Sequence, residues 1–510
     1  MESTTKSFQI FKQELLSDTF RIDFTVCLVS QSQAMNKIRS KLFKRASGHS
    51  KNNSAQASAT VNVENPLDVG LSIEYFQYQT LLFCLKKILY TLQDHEEFIT
   101  MCLEQINDNP KELRALREFK ESYTSNRALS WYLRDCFLYK ILNYSLESQD
   151  LRNLLVCRRF LADLEKQITD HRSSMPIHAY RSQIMPTELL DRWVSSVGQC
   201  ISVNSFLSAT LNQDVAMTYL HNDQVVPDNY ERVLLEIDAD PRVIGSKPFV
   251  HIGSLNVSSD ENEVLFMFGS VFLINNITCQ NDGTFSIELT LYSDIEHPLR
   301  SDFDQLKQKY SEEKIDSLKF VQVLMDLDRL FDAEDYAKSY LENLSSNDEN
   351  RGKVFDLLAS ISLSQNDING SLRWLEESLN WKTSRSQQSQ DLSTAETHEN
   401  LANIYLKKSD NNQKFRSSEF MFFFFNLVDY ASAFKHYTAA LEIKQICLPS
   451  NHLSIAATLE NLAKLFECRN EFRQAIDCLE RAKAIYRRNQ SGSNEKLLSI
   501  EKQIRNLSQL

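Results

Sequence analysis

Hydrophobic and polar positions follow three successive textures along the 510-residue chain. From about 70 to 170, apolar residues return every three or four positions, as in "YQTLLFCLKKILYTLQDHEEF" and "LRNLLVCRRFLADLEKQITDH". That period lines one face of a helix with apolar side chains, so three or more amphipathic helices are predicted there. The aromatic-rich "WYLRDCFLYKILNY" (131–144) continues the same stripe and reads as core packing. Between 176 and 296 the runs shorten to "IHAYRSQ", "ISVNSFLSAT", "RVLLEIDAD", "PFVHIG", "NEVLFMF", "SVFLINNI" and "FSIELTLY", bounded by Gly, Pro, Asn and Asp. Short runs with such boundaries predict β-strands, interrupted by one helix at "NQDVAMTYL". The expected fold here is α+β with a largely antiparallel sheet.

From about 303 onward the pattern is helical and it repeats. "LLASISLSQNDINGSLRWLEESL" (357–379), "NLANIYLKKSD" (400–410) continued by "DYASAFKHYTAALEI" (429–443), and "NLAKLFECRNEFRQAIDCLERA" (461–482) align, and "LMDLDRLFDAEDYAKSYLENL" (324–344) is a weaker copy. Leu358, Leu401 and Leu462 are spaced by 43 and 61 residues, and without nineteen surplus residues in the third copy the second interval becomes 42. Small residues at Ala402, Ala433, Ala440, Ala463, Ala475 and Ala482 let paired helices approach closely. The surplus contains "KFRSSEFMFFFFNLV" (414–428), placed where a tight turn between helices is expected, with its phenylalanines exposed. As a hypothesis, it is translated intron: Phe-Phe-Phe-Phe-Asn-Leu-Val can be encoded by a pyrimidine tract running into TTTAG, a 3′ splice-site sequence. An abundant mature transcript carrying the segment would instead mark a genuine loop.

Composition narrows the chemistry. The 56 basic and 68 acidic residues leave a formal charge of -12, which argues against nonspecific nucleic-acid binding. Ten scattered cysteines form no C-x-x-C and no zinc spacing, so they read as reduced thiols of a cytoplasmic protein, and no metal is expected. The start lacks a charged and apolar leader, and the apolar run at 420–428 is far short of the ~20 residues of a membrane helix. Residues 1–64 carry a basic patch, "NKIRSKLFKRAS", followed by small polar residues, and read as a poorly ordered tail; a membrane-surface or localisation role is the alternative. Glycine is scarce, 10 in 510, and neither G-x-G-x-x-G nor G-x-x-x-x-G-K occurs, so any nucleotide must be held by side chains.

One acidic pair stands out. In "ENEVLF", Glu261 and Glu263 are two positions apart, which in a strand aims both carboxylates at one face. Alone, such a pair is ordinarily a solvated strand edge. The same segment also holds "YRSQ" (180–183) and "NSFLSAT" (204–210), so an arginine, a serine strand and an E-x-E follow in order. This order resembles the R-S-E class of mono-ADP-ribosyltransferases, and "EIDADPR" (236–242), "KPF" (247–249) and "ENEVLFMFGSVFLI" (261–274) share the resemblance, which covers roughly 66–296.

The resemblance implies transfer of ADP-ribose from NAD to arginine side chains of a protein substrate. Glu263 then faces the ribose of NAD, where a carboxylate stabilises positive charge that develops mainly in the transition state. Glu261 orients the acceptor; in the family an acid at this position goes with arginine, whose guanidinium needs help to lose a proton. Arg181 clamps pyrophosphate or ribose oxygens, Ser208 holds the nicotinamide ribose and braces Glu263, and Tyr180 and Thr210 stand with them in contact with NAD. Two departures from the family pattern are Ser182 where glycine is frequent and Ala209 in the middle of the Ser-Thr-Ser element.

The C-terminal repeats resemble tetratricopeptide repeats (TPR) of the kinesin-light-chain type, which implies an all-α, right-handed solenoid with a concave face for a peptide or protein ligand. The expected division is a tail (1–64), a transferase domain (65–296, helical over 65–170 and β over 171–296), a solenoid (303–490) and a terminal helix (491–510). Two other readings are an NAD glycohydrolase, which keeps Glu263 but not Glu261, and a TPR adaptor whose transferase-like domain is a relic. A small guanidino compound is an alternative acceptor. His178 and His251 lie in strand-like runs without carboxylate or cysteine partners at ligand spacing and read as core or edge residues.

Overall fold

The computed structural model describes residues 71–509 except 107–108, 135, 222–225, 256–261, 313, 386–390, 415–418 and 490–493. The expectations for the 1–64 tail and for Glu261 lie outside the described residues. The chain divides into two units that meet between Ile315 and Asp316.

Among the described residues of the first unit, six α-helices precede the sheet: α1 (Ile73–Leu85), α2 (Leu92–Ile106), α3 (Pro110–Ser122), α4 (Ala128–Tyr132), α5 (Phe137–Ser148) and α6 (Leu151–Asp170). Local chemistry sets their starts. Ser72 and Asp150 accept hydrogen bonds from Tyr75 N and Asn153 N, while Asn109 caps α3 ahead of Pro110, whose missing N–H costs nothing in a first turn.

The eight strands are β1 (Ile177–Pro186), β2 (Cys200–Val203), β3 (Leu207–Thr210), β4 (Tyr230–Ala239), β5 (Phe249–His251), β6 (Glu263–Phe266), β7 (Ser270–Cys279) and β8 (Phe285–Tyr292). Helix α7 (Thr187–Val194) follows β1, and α8 (Gln213–His221) follows β3. They form one sheet in the order β2-β7-β8-β4-β1-β3-β6-β5, antiparallel throughout except for the parallel β4–β8 pair. Ala179, Met185, Leu207, Ala209, Val233, Leu235, Val264 and Phe266 share one apolar cluster, as the period-two alternation of strands requires. The α+β reading with a largely antiparallel sheet holds.

This unit runs past the expected boundary. Helix α9 (Arg300–Lys309) belongs to it, because Phe303 stacks on Phe76 of α1 with ring centroids 5.5 Å apart. Ile315 N then donates to Lys87 O at 3.0 Å.

The second unit is a helical TPR region. Its hairpins are α10 (Ser317–Asp326) with α11 (Leu330–Asn343), α12 (Asn350–Ser364) with α13 (Ile368–Arg385), α14 (Leu392–Lys414) with α15 (Glu419–Cys447), and α16 (Leu453–Cys468) with α17 (Phe472–Arg488), followed by α18 (Asn494–Leu507). Three hairpins turn identically. Asp328, Asn366 and Asn470 are left-handed at φ 59°, 66° and 59°, and the next residue donates back to Leu324 O, Ser362 O or Phe466 O at 2.9, 2.8 and 2.8 Å. This six-to-one bond is a Schellman ending.

In the third hairpin Ser409, eight residues past Leu401 as Asn366 and Asn470 are past Leu358 and Leu462, is still helical. The surplus lengthens both helices, since α14 runs to Lys414 and α15 starts at Glu419, while the expected exposure of the phenylalanine side chains lies outside what the structure describes. Residues 410–428 contain neither Gly nor Pro to stop them.

Candidate active site

Strand β1 pairs with β4 along its whole length, from Ile177 opposite Ala239 to Pro186 opposite Tyr230, so its middle is rigidly placed. On its other side Tyr180 pairs with Thr210 of β3, and β3 pairs with β6 so that Thr210 lies opposite Glu263 and Ser208 opposite Leu265. Three segments distant in sequence thus lie side by side. Arg181, Ser208, Thr210 and Glu263 are all half-buried, whereas Leu207 and Ala209 alternate with them into the core.

A continuous chain of hydrogen bonds joins the three charged or polar residues. Arg181 Nη1 donates to the carbonyl oxygen of Ser208 at 2.6 Å, and Ser208 Oγ donates to Glu263 Oε1 at 2.8 Å. Gln183, buried beside Arg181, accepts a longer bond from its Nε at 3.5 Å. No other hydrogen bond or ion pair holds Glu263 among the described residues, which leaves its second oxygen available to a ligand. A guanidinium and a carboxylate held by one serine can bind an anionic group and stabilise a neighbouring positive centre at the same time.

Helices α4 and α5 contribute residues that sequence periodicity assigned to core packing. Tyr132 is buried and Tyr139 half-buried, and the charges of Arg181 and Glu263 act on both phenols. Burial raises the Tyr132 hydroxyl well above its ordinary range. It also raises that of Tyr139, where Arg181 pulls the other way and Glu147 and Glu263 add to the rise. Asn143, buried on α5, donates from Nδ2 to Tyr132 OH at 3.0 Å and accepts from Phe206 N at 3.3 Å. This side chain therefore ties the helices to the residues just ahead of β3. Only the extra polarity of "WYLRDCFLYKILNY" distinguished it from an ordinary apolar stripe.

Tyr180 leaves β1 on the face opposite Arg181, the face it shares with its register partner Thr210 and, across β3, with Glu263. Its ring packs with Ala216, Met217 and Leu220 of α8 and with Leu234, and meets His178 edge-on at 4.8 Å. Thr210 shares the Glu263 register and accepts from Asn212 N at 3.2 Å. His178, read as lacking a carboxylate partner, has one across the sheet in Asp238, with Nδ1 2.6 Å from Oδ1; sixty residues of separation hid the pair. Among the described residues no three metal-ligating groups converge, no disulfide joins the nine cysteines, and no helix is long and apolar enough to cross a membrane.

A family model described as tetratricopeptide repeat matches residues 422–488. No curated protein sequence matches the chain. Among solved structures, Plx2a, an ADP-ribosyltransferase toxin from Paenibacillus larvae, is similar at 13% identity over 36% of this chain and 93% of its own, with a TM-score of 0.26. BtubC (BKLC) from P. vanneervenii is similar at 18% identity over 40% of this chain and 77% of its own, with a TM-score of 0.31. A Podosopora anserina protein described as a kinesin light chain with nearly identical TPR-like repeats is similar at 15% identity, covering 38% and 84%, also at 0.31.

Proposed function

We propose that the first unit is a mono-ADP-ribosyltransferase that uses NAD to modify protein arginine side chains, and that the TPR region recruits the protein substrate or a partner. The observation that carries this reading is the Arg181–Ser208–Glu263 chain of hydrogen bonds across β1, β3 and β6. Arg181 supplies a planar, permanently charged donor set to phosphate or ribose oxygens of NAD. The bond from the ribose to nicotinamide breaks with its electron pair leaving on neutral nicotinamide. Glu263 stabilises the positive charge left on the sugar, and Ser208 holds Glu263 in line. A guanidino nitrogen of the acceptor then bonds to the ribose carbon and loses its proton; Glu261, two residues before Glu263, is the base that takes it. Recruitment by the repeats raises the acceptor's effective concentration at the site without new catalytic contacts.

Labelled NAD with polyarginine tests the proposal. Glu263→Gln is expected to abolish both NAD cleavage and label transfer, whereas Glu261→Gln abolishes transfer and retains cleavage. Cleavage undiminished in Glu263→Gln would overturn the assignment. NAD cleavage without transfer in the unaltered protein would make it a glycohydrolase.

A further inference from the structure

Two lysines of the TPR region have side chains only 7% and 4% exposed, so each charge must be met inside the protein. They occupy the same place in the repeat. Lys382 and Lys444 stand four residues after the buried small residues Ser378 and Ala440, on the second helices of the second and third hairpins. Lys382 Nζ lies 2.6 Å from Asp356 Oδ2 of its own hairpin and donates to Thr397 Oγ1 of the next at 2.6 Å. Lys444 Nζ lies 2.6 Å from Glu399 Oε2 of its own hairpin and donates to Thr458 Oγ1 of the next at 3.1 Å. Asp356 and Glu399 come two residues before Leu358 and Leu401, while Thr397 and Thr458 come four residues before Leu401 and Leu462. Because α14 carries both Thr397 and Glu399, the two bolts form one line from α12 to α17.

The fourth hairpin ends the line. There Tyr486 takes the lysine position and donates to Glu460, and Lys496 of α18, half-exposed, donates to Tyr486 OH at 2.8 Å. Lys382 follows Asp356 by 26 residues and Lys444 follows Glu399 by 45, a difference equal to the nineteen surplus residues, which therefore lie outside the line. The first interface differs in kind. Aligned on the left-handed residues Asp328 and Asn366, the acid, lysine and threonine positions hold Leu318, Leu344 and Val354. Half-buried contacts join the first hairpin to the second: Arg351 donates to Leu341 O and Leu344 O, both at 3.1 Å, and Gln365 to Glu334 at 2.9 Å.

We propose that the Asp356–Lys382–Thr397 and Glu399–Lys444–Thr458 bolts lock α12 to α17 into one cooperative block, while the hairpin of α10 and α11 opens by itself. A buried ion pair specifies one geometry, because breaking it strands a charge, whereas leucine and valine tolerate small shifts. Neighbouring repeats unfold together only as far as their interfaces couple them. A ligand spanning the second to fourth hairpins then meets a surface whose helices do not shift independently.

Native-state hydrogen exchange of the full chain in low urea, read peptide by peptide by mass spectrometry, tests this without reference to NAD. Peptides from α12 to α17 are expected to lose protection together, and those from α10 and α11 at lower urea. Lys444→Met is expected to split the block, so that α16 and α17 exchange at least ~10-fold faster than α12 and α13, in keeping with the loss of charge-assisted contacts. The triple variant Glu399→Leu, Lys444→Met, Thr458→Val strands no charge, which guards against a single variant that fails to fold, and is expected to split the block at the same place. Removal of residues 410–428 together with Ser409→Asn, which supplies the turn residue of the neighbouring hairpins, is expected to leave the block whole. The proposal is overturned if both substituted variants lose protection evenly across the block or exchange as the unaltered protein does. A split caused by removing 410–428, or α10 and α11 losing protection together with α12 to α17 in the unaltered protein, overturns it equally.

Discussion

Ser208→Ala isolates the link between Arg181 and Glu263. The substitution removes one oxygen and keeps the Cβ, so β3 retains its pairing with β6, and Leu207 and Ala209 remain in the core. What is lost is one charge-assisted hydrogen bond, 2.8 Å from Ser208 Oγ to Glu263 Oε1. Such bonds contribute about 1.5–3 kcal/mol, which at ~1.4 kcal/mol per decade predicts a fall in kcat of roughly 10- to 100-fold. The Arg181 contact goes to the Ser208 backbone and survives, so KM for NAD should change by less than about threefold. Release of labelled nicotinamide measures both constants, and thermal unfolding should show a loss no larger than the ~3 kcal/mol upper value of that one bond. Ser208→Thr, which restores a hydroxyl, should recover much of the rate. Activity of Ser208→Ala within twofold of the unaltered protein, or no recovery in Ser208→Thr while Ser208→Ala is impaired, would refute the claim that this hydroxyl positions Glu263.

Two further outcomes follow from residues outside that chain. Asn143→Leu leaves the buried Phe206 N–H and Tyr132 hydroxyl without their partner and should cost about 1–3 kcal/mol in urea unfolding of the first unit; unchanged stability would show that the tie is idle. In the third hairpin His398 and His436 face each other at 2.8 Å between Nδ1 atoms, with Tyr405 stacked on His436 and Lys435 nearby, where the preceding hairpin stacks Phe355 on Trp374. Burial, His398 and Lys435 bring His436 down to about 4, and burial and Lys435 lower His398. Between the ordinary histidine range and pH ~4 the unfolded chain binds the extra protons, so stability is full above about pH 6.5 and declines below it. The His398→Phe, His436→Trp double variant should flatten that decline between pH 7 and 5 in thermal unfolding, and an unaltered slope would exclude the pair as its source.

Much of the architecture was legible in the chain because it rests on local periodicity. Apolar residues at three- and four-residue spacing marked the helices on both sides of the strands, and the period near 42 marked the hairpins. The order arginine, serine strand, E-x-E pointed to Arg181, Ser208 and Glu263. Strand neighbours are chosen over long separations, so only the tertiary structure could set β3 between β1 and β6, join Ser208 to Glu263 and pack Tyr180 against α8. The same holds for Asn143 and Tyr139, whose spacing matches a core stripe but whose neighbours are the charged strand residues. Phe303 stacked on Phe76 and the unbroken helix through Ser409 likewise depend on which surfaces meet and on what stops a helix. Repetition and face are properties of a few consecutive residues, whereas the convergence of side chains from distant segments exists only once the backbone has closed its sheet.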